Sequence, residues 1–79
     1  MPSQSKTQVL TGSQVALPNK STNGVHLFNS TAVALNFVVN GGDTATLLAS
    51  QEVKLDVNNS NQITVSGTGT LTYFINTIL

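Results

Sequence analysis

The chain has 79 residues and no net charge, three Lys and no Arg standing against two Asp and one Glu. That is one small domain, without the basic field that nucleic acid or an anionic membrane requires. With 11 Thr, 9 Asn, 8 Ser and 5 Gln against six charged residues and no Cys, the surface is polar without being ionic, and disulfides and thiolate metal sites are excluded.

Residues 1 to 8 are polar and show no core-facing pattern, which predicts a flexible N-terminal arm ahead of a single β domain over 9–79. Nothing in this first stretch has the apolar core of a secretory signal, and no run in the chain reaches the ~20 apolar residues of a membrane helix. Apolar residues then recur at the strand period of two rather than the helical period. Gln14 to Leu17 reads as a strand stopped by Pro18, Gly24 to Asn29 as a strand carrying Val25 and Leu27, and Val33 to Val39 as one carrying Val33, Leu35 and Phe37. Asn40-Gly41-Gly42-Asp43 is a strong hairpin signal, since Asn and Gly accept positive φ, and it leads into a strand from Thr44 to Ala49.

Val53, Leu55 and Val57 alternate with Lys54 and Asp56, and Ile63 and Val65 with Thr64 and Ser66. The Asn58-Asn59-Ser60-Asn61 cluster between them predicts a second hairpin. The last strand runs from Thr70 to about Asn76, with Leu71, Tyr73 and Ile75 on one face and Thr72 and Phe74 on the other. About six or seven short strands with turn signals between them and no significant helix predict an all-β fold, a small antiparallel sandwich or barrel of jelly-roll or immunoglobulin-like type.

Catalytic equipment is missing. The carboxylates are Asp43, Glu52 and Asp56, and Glu52 and Asp56 on one strand stand about 13 Å apart, too far to share a proton. His26 is the lone imidazole and reads as a partly exposed strand residue. Neither Asn40-Gly41-Gly42 nor Gly67-Thr68-Gly69 opens a helix as a phosphate loop does. No enzyme, cofactor or metal site is expected. Sequons at Asn19, Asn29 and Asn58 are about as many as this composition gives by chance and carry no weight. The competing reading is a recognition module that binds a glycan through the Asn-rich loops near Asn40 and Asn58 to Asn61.

Partners are expected on energetic grounds. A core this small seldom supplies more than roughly 3 to 5 kcal/mol, yet Phe28, Val38 and Phe74 fall on the nominal outer faces of their strands. Either one sandwich covers both faces of its middle strands or these residues are buried against other copies, a trimer being the favoured closed form. The candidate interaction residues are therefore Ser3, Gln4, Ser5, Lys6 and Thr7 of the arm, together with Phe28, Val38 and Phe74.

The motifs in order are Gln14 to Leu17-Pro18, Gly24 to Asn29, Val39-Asn40-Gly41-Gly42, then Leu48 and Glu52 leading into Leu55-Asp56-Val57-Asn58. Asn61-Gln62-Ile63-Thr64-Val65-Ser66-Gly67 and Tyr73 complete them. Over roughly residues 8 to 75 this succession resembles small β-sandwich structural proteins of tailed-bacteriophage virions, which commonly have a Pro-Gly turn where this chain has Ser50-Gln51 before Glu52. The resemblance implies a virion component assembled in the host cytoplasm. It would be a decoration or cement protein on the capsid exterior, or else part of a head fibre, neck or tail. The implied partners are further copies of the chain and the major capsid protein or another virion protein, with no nucleic acid and no membrane. In that picture copies meet through sheet edges and outer faces, and the arm with one set of loops contacts the shell.

Overall fold

The computed structural model describes residues 3 to 77. It is all-β, with eight strands: β1 (Ser3–Thr11), β2 (Val15–Ala16), β3 (Thr22–Asn29), β4 (Leu35–Val39), β5 (Ala45–Leu47), β6 (Glu52–Leu55), β7 (Ile63–Ser66) and β8 (Thr68–Thr77). Sheet A has the order β1-β8-β3-β6 and sheet B the order β2-β7-β4-β5. Every pairing is antiparallel.

The pairs are nested: β4 with β5, β3 with β6, β2 with β7, β1 with β8. The chain is thus a long hairpin rolled so that alternate pairs fall in opposite sheets, the two-sheet jelly roll. The core lies between the sheets. Val25, Leu27, Leu71, Tyr73 and Ile75 come from sheet A and Leu35, Phe37, Leu47, Ile63 and Val65 from sheet B, closed by Leu10, Leu17 and Val57. These are the alternate residues that the strand period selects.

The turn at Asn40-Gly41 is as its chemistry demands. Both residues take left-handed backbone, φ 52° and 68°, and the Gly42 N–H donates to the Val39 carbonyl at 3.0 Å, which turns β4 tightly into β5.

Two expectations are corrected. Val53–Val57 and Ile63–Val65 do not form a hairpin, because β6 pairs with β3 in sheet A whereas β7 pairs with β4 and β2 in sheet B. The segment between them is an arch from one sheet to the other, built on a short 3-10 turn at Ser60–Gln62. The Asn59 side chain accepts from the Asn61 N–H at 3.0 Å, and Gln62 Oε1 accepts from the Asn58 and Asn59 N–H groups at 3.1 Å each. Asn and Ser reverse a chain by bonding its backbone, and that chemistry serves an arch as well as a hairpin.

The second correction concerns the N-terminal arm expected over residues 1 to 8. From Ser3 onward this stretch is the greater part of β1, paired residue by residue with β8 from Ser3↔Asn76 to Thr11↔Thr68, so the domain takes in residues assigned to the arm. Residues 1 and 2 lie outside the described residues. Lys6 shares a row with buried Tyr73, on the core side of sheet A, and is nevertheless exposed. The facing edge strand β2 has only two residues, so the core-side positions of β1 before Leu10 have little to pack against, and polar residues occupy them.

Candidate interaction surface

On the outer side of sheet A the strand registers assemble two rows across all four strands. One is Ser5, Phe74, His26 and Lys54; the other is Thr7, Thr72, Phe28 and Glu52. Val9 and Thr70 begin a third. Phe74 is 36% and Val9 64% exposed, and His26 and Phe28 are half-buried. Aromatic and apolar groups thus occupy the middle strands, hydroxyls of Ser5 and Thr7 one flank, and the charges of Lys54 and Glu52 the other. A shallow hollow of about 360 Å³ opens between His26, Lys54, Phe74 and Asn76.

Four of the eight sequence candidates therefore meet: Ser5, Thr7, Phe28 and Phe74. Gln4 and Lys6 lie on the opposite side of β1, in the rows of Ile75 and Tyr73. Ser3 begins β1 opposite Asn76. Val38 is on the outer side of sheet B, in a row with Thr64 and Ala16, across the sandwich from the others. His26 is the partly exposed strand residue expected of it, and among the described residues no group of three His, Cys, Asp or Glu side chains converges.

The edges of sheet A are less inviting than its face. β1 is the long edge, but Lys6, a charge on the core side of an edge strand, opposes the docking of another strand there. β6 is only four residues long and carries Glu52 and Lys54.

Two features of the ends escaped the sequence reading. Val33 and Leu48 are 54% and 58% exposed, in the β3–β4 and β5–β6 connections at one end of the sandwich, where β4 has not yet begun and β5 has already ended. At the other end the Asn-rich loops converge on a cleft of about 370 Å³ whose lining includes Asn40, Asp56, Asn58 and Gln62. Only the pairing order brings these loops together.

No family model matches the chain, and no curated protein or solved structure matches it.

Proposed function

We propose that the chain is a non-enzymatic structural protein of a phage virion, a decoration or cement protein that oligomerises and binds the capsid exterior to stabilise it. The observation that carries the self-association is the outer face of sheet A, an aromatic centre with a hydroxyl flank and a charged flank, the layout of a protein interface with an apolar core and polar rim. The occupant is another copy. Lys54 and Glu52 stand side by side on that flank, so in a closed ring each copy can offer its Lys54 to the Glu52 of the next.

The motif succession of residues 8 to 75 supports a virion setting, and the two-sheet jelly roll is an architecture that virus coats use. Val33 and Leu48, exposed at one end, are the groups this reading assigns to the shell, in the place of the arm. Binding only to assembled capsid would favour assembly by linkage.

Light scattering over a concentration series tests the first half: a closed oligomer, with the trimer the expected form, that Phe74→Asp converts to monomer. Co-sedimentation with capsids of the parent phage tests the second. Leu48→Asp is expected to abolish capsid binding while leaving the oligomer intact. A wild-type chain that stays monomeric at all concentrations and does not sediment with capsids sinks the proposal, and sedimentation with tails or fibres alone moves it to that part of the virion.

A further inference from the structure

The end of the sandwich remote from Val33 and Leu48 holds a cleft that the structural role leaves unused. It forms where β3 starts, β4 ends, β6 ends and β7 starts, and its polar lining is Thr22, Asn23, Asn40, Asp56, Asn58 and Gln62, with Val57 as the one apolar contributor. At about 370 Å³ and open toward solvent, it has room to seat one face of a small polar ligand.

Its walls are fixed by the main chain. The Asn40 N–H donates to the Gln62 carbonyl at 2.7 Å and the Thr22 N–H to the Asn58 carbonyl at 3.0 Å, so three connections are tied together. A further set of bonds buttresses them from behind: the Ser60 N–H donates to the Lys20 carbonyl at 2.9 Å, Asn59 Nδ2 to Asn19 Oδ1 at 2.8 Å, and the Ser60 hydroxyl to the Pro18 carbonyl. A ligand here would not have to order the loops first.

The side chains divide into used and unused. The Thr22 hydroxyl is engaged, within 2.7 Å of the Asn76 carbonyl and accepting from the Gly24 N–H at 3.1 Å. Gln62 Oε1 accepts two N–H groups, which fixes its amide plane. Among the described residues, Asn40, Asp56 and Asn58 make no side-chain hydrogen bond within the chain.

Their chemistry narrows the ligand class. No Lys, Arg or His lines the cleft, so it has no cation for a phosphate, a sulfate or a sialic acid, and Asp56 repels them. A calcium site draws on six to eight oxygens, commonly with several carboxylates, and here there is one. No aromatic or aliphatic wall suits a lipid or a flat apolar ring. Amides placing donor beside acceptor, next to a single carboxylate, fit a neutral ligand dense in hydroxyls. We propose that the cleft binds a neutral carbohydrate, with Asp56 accepting from adjacent sugar hydroxyls and the Asn40 and Asn58 amides donating and accepting around it. Without a stacking aromatic each site is weak, and an oligomer would gain by presenting several. This inference stands on the cleft alone and is independent of the virion reading.

The test is a ¹H–¹⁵N NMR titration of the full chain with glucose, galactose, mannose, N-acetylglucosamine and N-acetylgalactosamine, with N-acetylneuraminic acid and calcium chloride as separate arms. The expected result is saturable shifts at Asn40, Asp56 to Asn58 and Gln62 with at least one neutral sugar, and none in the other two arms. Asp56→Ala removes a charged acceptor and is expected to weaken binding about tenfold or more. Asn40→Gly, which keeps the left-handed turn while deleting the amide, is expected to weaken it without changing the fold as seen in the remaining spectrum. The proposal is overturned by no saturable shift with any neutral sugar, by equal binding of N-acetylneuraminic acid, by shifts caused by calcium alone, or by sugar binding that survives both substitutions. Light scattering on the same samples keeps the oligomer question separate.

Discussion

Asn29 is fully buried and spends both ends of its amide. Nδ2 donates to the Val33 carbonyl at 2.7 Å and the Leu47 carbonyl at 3.0 Å, while Oδ1 accepts from the Thr31 N–H at 2.9 Å and the Thr31 hydroxyl at 2.7 Å. One side chain thereby joins the end of β3 in sheet A to β5 in sheet B and shapes the connection that presents Val33. It also closes the Asn29 sequon to a glycan. Asn29→Leu keeps the approximate volume but strands buried carbonyls, and a loss of about 3 kcal/mol is expected, read as a lower urea midpoint at unchanged slope. At Tyr73, burial raises the phenol above its ordinary value of 10. On raising the pH the unfolded chain gives up this proton first. The stabilisation is therefore complete below pH 10 and is lost as pH rises from there through the folded value. A thermal-melt series is expected to show the wild type falling further than Tyr73→Phe above pH 10, the two running parallel below it.

At the scale of elements, β1 decides how the N-terminus is tested. Deleting Ser3 to Thr7 removes five of the nine residues paired with β8 and turns the adjoining length of β8 into a new edge beside the aromatic face. The expected outcome is a lower melting temperature and aggregation during the melt, so an effect of this deletion on capsid occupancy would report folding rather than docking. The same strand shows where sequence reasoning ends. Strands with one face in the core, such as β3 with Val25 and Leu27 or β8 with Leu71, Tyr73 and Ile75, announce themselves by alternation. Before Val9, β1 is polar on both faces, because sheet B provides only Val15–Ala16 opposite it, and no period remains to be read. The arch through Asn58–Gln62 was legible as a reversal but not as a crossing between sheets. For the surface, alternation located Phe28 and Phe74 on the outer side; that Ser5, Thr7 and His26 join them, and that Asn40 meets Asn58, follows only from the pairing order.

At the scale of the whole molecule the two broad faces differ in kind. Sheet B turns outward Ala16, Thr64, Val38, Asn36, Ser66 and Thr46, small or polar groups without a charge, whereas sheet A offers two Phe rings and the only outward charges of either sheet's interior rows, Lys54 and Glu52. Association through sheet A would leave both ends of every copy free. The Val33 and Leu48 end could then face a shell while the amide-lined cleft faces away from it, so the structural and recognition proposals need not compete for surface. This arrangement makes a demand on the charged flank. If Lys54 of each copy meets Glu52 of a neighbour, Lys54→Glu sets anion against anion at every contact, and the double variant Lys54→Glu with Glu52→Lys restores the pairing with the signs exchanged. Exposed pairs of this kind contribute roughly 0.2 to 1 kcal/mol each, so dissociation is expected to become a few-fold easier per contact in the single variant and to return to the wild-type value in the double one. Sedimentation equilibrium at low salt measures it, and the difference is expected to shrink as salt screens the charges. If the single variant assembles as tightly as the wild type at low salt, these flanks do not meet, and the aromatic centre is packed in some other relation between copies.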